Sequence, residues 1–328
     1  MDDASVLQAA LAFHRRDGGV ALVTLINRQG SSPRPLGSQM AVSAEGECVG
    51  SLTGTGCAEQ LIIHEAQAAL TAGENRILRL GEGSPYIDIR LPCGAGIDLH
   101  IDTQIDADVL AELVRAHEAR HPAALETDRD KGIQRCTACL SDKPLASRSF
   151  RRWLYPPLRL VVIGQGDIAI ALSCIAIASG YAVDMISPDQ ATLLSAGEAG
   201  AQTTRLPTAN LFCAPMLDAW TAAVTLFHDH EWELPILNTL LNSPCFYLGA
   251  LGSRSTHAQR LSALHDLGWI NAGRRLHGPV GLDIGAQTPN EIALSILAEI
   301  TQSFRATERP LLEIGPDFVL NTQTTTCW

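Results

Sequence analysis

Two cysteines stand in glycine-bearing turns of the first hundred residues. Cys57 lies in Thr53-Gly54-Thr55-Gly56-Cys57-Ala58-Glu59, and Cys93 in Leu91-Pro92-Cys93-Gly94-Ala95-Gly96. A structural cysteine is normally hidden among apolar neighbours as a small hydrophobe; a cysteine at a backbone turn is open to a reaction partner. The pattern predicts a helix over 58–72 with Gly73 as its C-cap, so Cys57 opens that helix. The partial positive charge at a helix N-terminus favours the thiolate, which is both the nucleophile and the soft metal ligand.

Two further turns have the chemistry of anion sites. Gly164-Gln165-Gly166-Asp167-Ile168-Ala169 follows an apolar strand and opens a helix, as the dinucleotide fingerprint does. Two features argue against bound NAD(P): Ser187 occupies the place of the usual ribose-binding acid unless Asp189 reaches back, and Asp167 sets a negative charge where a pyrophosphate would sit. Gly249-Ala250-Leu251-Gly252-Ser253-Arg254-Ser255 combines small residues, a helix start and arginines (Arg254 and Arg260), with Arg274, Arg275 and His277 shortly after. That is the set an anionic group requires. Both turns are expected at the carboxyl edge of one sheet, where ligands bind in such folds.

Two other groups are metal-like. His228-Asp229-His230 ends an apolar strand, with period two placing both imidazoles on one face; a crevice-lining role is favoured over a metal pair. Cys136 and Cys139 have a metal-type spacing, and His117 and His121 share a predicted helix face upstream, which together could supply four zinc ligands. A redox- or zinc-responsive interaction protein would rest on that set.

The elements that must position these residues fall into an N-terminal α+β domain over 1–104, a connecting region over 105–157 and a Rossmann-like domain over 158–328. In the first, a helix is predicted at 5–16, with strands at 20–26, 39–43, 47–52, 76–80, 87–91 and 97–102. The last two alternate apolar and polar residues as half-buried strands do. The connecting region holds an amphipathic helix near 107–120 and ends at Pro156-Pro157. In the third, apolar strands at 158–163, 182–186, 222–227 and 245–248 alternate with helices, which predicts βαβ units in a doubly wound parallel sheet. Thr288-Pro289-Asn290-Glu291 is a capping box that starts the last helix, with Ile292, Ile296 and Ile300 on one face.

The chain has 328 residues, 46% of them hydrophobic and 18% charged, enough apolar sequence for more than one core. A net charge of −11 argues against nucleic-acid or acidic-membrane binding. No apolar run is long enough to span a bilayer, and the acidic start Met1-Asp2-Asp3 does not resemble a secretory signal. Nine cysteines without a framework spacing read as free thiols of a cytoplasmic protein.

Taken in order, the motifs resemble one family. Gly30-Ser31-Ser32-Pro33-Arg34-Pro35-Leu36-Gly37, Gly56-Cys57-Ala58-Glu59 and Pro92-Cys93-Gly94 are similar to the N-terminal signatures of the xanthine dehydrogenase accessory factors, the XdhC/CoxI family. The segments 156–164, 247–254, 278–285 and 289–299 resemble its C-terminal half. The match leaves out only about 105–150. Ala58 stands where a valine is common, Ala95 where a glycine is frequent, and Ser187 where the family has an acid.

The resemblance implies a chaperone that binds the molybdenum cofactor, protects it while a cysteine desulfurase replaces an oxo ligand with sulfur, and inserts it into xanthine dehydrogenase or a related molybdenum hydroxylase of purine catabolism. It implies a homodimer, and a carrier rather than an independent catalyst. On this reading Cys57, with Cys93, faces the molybdenum end, because soft ligands select soft metal–sulfur centres. Glu59 orients or protonates nearby groups. Gly249, Gly252, Ser253 and Arg254 hold the phosphate end, with Gly164 and Gly166 as second choice. Gripping one cargo at both ends requires a cleft between the domains. The competing expectation is an NAD(P)-dependent oxidoreductase using the Rossmann-like domain.

Overall fold

The structure is a computed structural model that describes residues 3–30, 34–54, 56–86, 96–128, 133–137, 145–227, 230–307 and 310–315, with backbone alone at 3–4, 133–137 and 230–231. The chain divides into two compact units, Met1–Pro156 with Pro310–Trp328, and Pro157–Arg309.

The first unit runs α1 (Asp3–Asp17), β1 (Ala21–Gln29), β2 (Gln39–Val42), β3 (Cys48–Gly50), α2 (Gly56–Ala72), β4 (Arg76–Gly81), β5 (Gly96–Asp102), α3 (Ala107–Glu118), β6 (Ala123–Asp128), β7 (Ile133–Thr137) and β8 (Ser149–Leu154). Strands β1 to β5 form an antiparallel sheet in the order β3-β2-β1-β5-β4. One face is covered by α2, whose Ala58, Ile62 and Ala66 pack on Val23, Leu25 and Leu99. The other meets α1 and α3 and the second sheet, through Leu7, Leu22, Leu110 and Leu125 and through Ile26 and Phe150. This explains a departure from expectation at β5. Its alternation predicts a half-buried strand, yet every residue from Gly96 to Asp102 is buried, because β5 is central and its polar face is covered. Asp98 is satisfied there by Arg79 and Asn27, and His100 lies edge-on to Phe150.

The connecting region expected over 105–157 is instead part of this unit. Strands β6, β7 and β8 build a second antiparallel sheet, and α3 packs on α1. The sheet is completed from the far end of the chain: β15 (Leu312–Ile314) pairs with β8, and Glu313 accepts from Arg151 and the Trp153 indole. The expected Rossmann boundary at 328 therefore falls short, since the second unit ends at Arg309. A three-residue strand after a long helix carries too little periodicity to be seen in sequence. The strand expected at 87–91 lies outside the described residues.

The second unit runs β9 (Arg159–Gly164), α4 (Asp167–Ala178), β10 (Ala182–Ser187), α5 (Gln190–Glu198), β11 (Gln202–Arg205), β12 (Thr221–Leu226), α6 (His230–Leu241), β13 (Tyr247–Ala250), α7 (Arg254–Asp266), β14 (Leu276–His277) and α8 (Pro289–Arg305). Its six parallel strands are ordered β11-β10-β9-β12-β13-β14, the doubly wound Rossmann order with its switch point between β9 and β12. Helices α4, α5 and α8 cover one face around Val162, Val224 and Ile296, while α6 and α7 cover the other around Ile163, Leu237 and Leu264. The capping box at Thr288 and Glu291 forms as expected. No helix among the described residues is long and apolar enough to cross a membrane.

Candidate functional site

In the first unit the chemistry gathers at the start of α2. Ala58 turns inward to the core, which leaves Cys57 exposed in the first helical turn with its thiol free. Glu59 is the organising group. Its Oε1 accepts five hydrogen bonds, from the Ser51 hydroxyl (2.8 Å), the Leu52, Thr53 and Gly54 amides (2.9, 2.8 and 3.1 Å) and the Thr53 hydroxyl (3.2 Å). Burial alone would raise the Glu59 carboxyl, but these donors outweigh it and hold it below the ordinary glutamate value. Glu59 is thus a fixed carboxylate that shapes the 51–54 turn, and the proton-donor part of its expected role does not fit. Its other oxygen, Oε2, is buried and finds no hydrogen-bond partner among the described residues. Cys48, on β3, contrasts with this: burial and the Glu59 charge push its thiol up, away from the thiolate. Cys93, Gly94 and Ala95 lie outside the described residues.

In the second unit the fingerprint turn lies at the end of β9. A Cβ at Gly164 would run into the Leu226 backbone, so this glycine serves close strand packing. Gly166 has φ +88° and nothing within 4 Å of where a Cβ would stand, so the space above it is open. A cavity of about 520 Å³ occupies it, lined by Gln165, Gly166, Asp167, Ile168, Asp189, Leu226, Leu251 and Pro289. The turn's own amides are largely committed. Gln165 N–H donates to Leu226 O (3.4 Å) and Gly166 N–H to Thr192 Oγ1 (3.0 Å). Thr192 in turn donates its hydroxyl and its amide to Asp189, the N-cap of α5, and these bonds lower the Asp189 carboxyl. Ser187 is fully buried. Asp189, not Ser187, reaches the crevice, and with Asp167 it makes the rim acidic.

The second turn is built differently. Ser253 caps α7, with its hydroxyl accepting from the Thr256 amide. Arg254 is almost fully exposed and stands 3.8 Å from an equally exposed Asp283. Here the glycines serve packing: a Cβ at Gly249 would come within 2.6 Å of Val280 Cγ2, and one at Gly252 within 2.8 Å of Thr256 Cγ2. The other basic residues expected nearby are structural. Arg260 is buried against Glu233 (2.9 Å) and donates to Leu251 O. Arg275 donates to the carbonyls of Leu241, the last residue of α6, and of Ser243 and Cys245 after it. His277 Nδ1 lies 2.9 Å from Glu299 Oε1, and the Tyr247 hydroxyl and Gly281 amide donate to Glu299 Oε2. That network had no local signal, because its members lie on β13, β14, a loop and α8.

One part of the expected zinc set, the shared helix face of His117 and His121, is not found. Helix α3 ends at Glu118 and Arg120 has φ +56°, so His121 lies past the helix end and shares no helix face with His117. The Cys136 side chain, Cys139, His228, Asp229 and the His230 side chain lie outside the described residues. Among the described residues no three metal-ligating side chains cluster. The crevice roles of Leu226, Leu251 and Pro289 were missed by sequence reasoning, as was the buried Thr192 that holds Gly166 and Asp189; only the Asp189-to-Thr192 spacing of an N-cap could have pointed to Thr192.

Residues 13–81 match the XdhC and CoxI family, and residues 160–300 the XdhC Rossmann domain. The molybdenum cofactor insertion chaperone PaoD of Escherichia coli (strain K12) is 34% identical over 300 residues, 91% of this chain and 88% of that protein. A probable xanthine dehydrogenase subunit of Bacillus subtilis (strain 168) is 26% identical over 322 residues, 86% and 92% of the two chains. The crystal structure of a xanthine dehydrogenase from Bacillus halodurans shares the fold, with a TM-score of 0.74 at 20% identity over 94% of this chain and 97% of that one.

Proposed function

Because this chain belongs to the XdhC and CoxI family, we propose that it is a molybdenum cofactor chaperone. It binds the cofactor as cargo, keeps it while a cysteine desulfurase supplies the sulfur that replaces an oxo ligand, and inserts it into xanthine dehydrogenase or a related molybdenum hydroxylase. Its setting is the cytoplasm, as a homodimer serving purine catabolism. The relative of matching length that is an insertion chaperone supports the cargo. The observation that carries the mechanism is the exposed Cys57 in the first turn of α2, beside a turn held rigid by Glu59. A thiolate there meets the soft metal end of the cargo, with Cys93 as its second ligand. The Gly249–Arg254 turn meets the phosphate through Ser253, Arg254 and the start of α7, and the Gly164–Gly166 turn is the alternative cradle.

The dinucleotide reading is weaker. Two amides of its turn are spent within the protein and two carboxylates line the crevice.

The test is to co-express the chain with cofactor biosynthesis, purify it anaerobically and assay the pterin released. Cys57→Ser is expected to lose most of the cargo and Arg254→Glu several-fold of it. Wild-type loading in both Cys57→Ser and Cys93→Ser would end the thiol role. Wild-type loading in Arg254→Glu would move the phosphate site elsewhere.

A further inference from the structure

A crevice of the second unit opens over the Gly164–Gly166 turn, which the chaperone reading uses only as an alternative cradle for the phosphate. Its volume, about 520 Å³, is that of a small-molecule site. Four apolar side chains line it beside Gln165 and the two aspartates: Ile168 from α4, Leu226 from the end of β12, Leu251 from the loop after β13, and Pro289 from the start of α8. Walls of that kind suit a flat ring. The polar groups at its edge are the wrong sign for a pyrophosphate. Asp189 Oδ2 is engaged by Thr192. Asp167, exposed at the start of α4, also lines the space, and its carboxylate is bonded to no described residue. The Gly166 N–H, which the glycine turn would offer to phosphate, is taken by Thr192. A carboxylate with both oxygens available pairs best with two adjacent N–H donors, because a bidentate charge-assisted pair adds geometric specificity as well as energy.

From this geometry we infer that the crevice binds a flat nitrogen heterocycle through its 2-amino-4-oxo-pyrimidine edge, the edge that pterins and guanine share, with Asp167 as its acceptor. The ring N–H and the amino group of that edge are adjacent donors for the carboxylate. The neighbouring oxo group is an acceptor, and the first N–H groups of α4 have no partner within the helix. Adenine lacks this edge, and a dinucleotide would bring its charge to an acidic rim. The inference rests on the chaperone reading only in making the pterin of the cargo the first probe.

The experiment titrates the full-length chain with pterin, guanosine, adenosine and NAD⁺, followed by pterin fluorescence and by calorimetry. Saturable binding of pterin or guanosine is expected, with adenosine and NAD⁺ at least tenfold weaker. Tighter pterin identifies the cargo's ring as the source, and tighter guanosine a free nucleoside or nucleotide. Asp167→Asn, which presents a donor to a donor, should weaken binding about tenfold or more, and Leu251→Glu should abolish it in a chain whose melting confirms folding. The inference is overturned if neither ring binds at millimolar concentration, if Asp167→Asn binds as wild type does, or if NAD⁺ binds most tightly. Free pterin carries neither metal nor phosphate, so a failure here leaves the cargo-loading assay to decide the chaperone reading separately.

Discussion

Replacing Glu59 tests whether one carboxylate holds the Cys57 turn in shape. In Glu59→Ala, five hydrogen bonds lose their acceptor together. Leu52 and Thr53 are buried, so water does not readily replace the carboxylate at their amides. At about 1–3 kcal/mol for each buried group that loses its partner, the loss is about 3 kcal/mol. For a unit of this size that is roughly 6–12 °C in Tm. Glu59→Gln keeps an acceptor oxygen but loses the charge, for about 1 kcal/mol. It also puts an NH₂ where the buried Oε2 now sits, with no described acceptor.

The pH dependence separates charge from shape. The folded-state Glu59 carboxyl lies below its ordinary value: burial pushes it up, and the surrounding donors pull it further down. Its contribution is therefore fully present above the unfolded carboxyl value, about 4.3, and is lost as pH falls through the folded value. Urea melts of wild type and Glu59→Gln should differ by the full amount at pH 7 and converge as the solution is acidified below pH 4. Equal stability at pH 7, or a gap that stays constant on acidification, would refute the role given to the carboxylate.

Three other perturbations follow from single contacts. Gly96→Ala places a Cβ against the Arg79 guanidinium, which is paired with the buried Asp98; displacing that pair should cost about 3 kcal/mol, read as a lower urea midpoint. Thr192→Val removes the acceptor of the Gly166 amide and a partner of Asp189; it should destabilise by about 1–2 kcal/mol and raise the affinity for phosphate or NAD⁺ by calorimetry. Asp283→Asn removes an exposed partner of Arg254; melting should shift by less than about 1 kcal/mol, while inorganic phosphate should bind at least as well as to wild type at low salt.

Sequence reasoning saw the second unit well because its signals are local. Continuous apolar runs buried on both faces gave β9 and β12, and Thr288-Pro289-Asn290-Glu291 gave the start of α8 to the residue. The first unit was harder for two physical reasons. Strand β5 alternates because its two faces meet different layers, and both layers bury it. The sheet of β6, β7 and β8 is closed by β15, which lies 158 residues after β8 (Leu154 to Leu312). Pairing across that separation leaves no periodic trace, so a segment with real core residues such as Leu125, Phe150 and Leu154 reads as a connector.

At the sites the limit was different, since the same residue type carries opposite meanings. Gly164, Gly249 and Gly252 are glycine because a Cβ would strike Leu226, Val280 or Thr256, so they build the fold and imply no ligand. Gly166 alone among these four faces open space, and its positive φ would bar most other residues even without a neighbour. Arginines divide in the same way. Arg260 is buried against Glu233 and braces the loop that carries Leu251, while Arg254 projects into solvent with only a weak partner. Spacing cannot separate these cases, because what decides them is a contact from another element. The residue a ligand can use is the one whose polar groups the fold has left uncommitted: on that criterion Cys57, Asp167 and Arg254 remain candidates, while Gly166, whose amide is held by Thr192, and Arg260 and Arg275 do not.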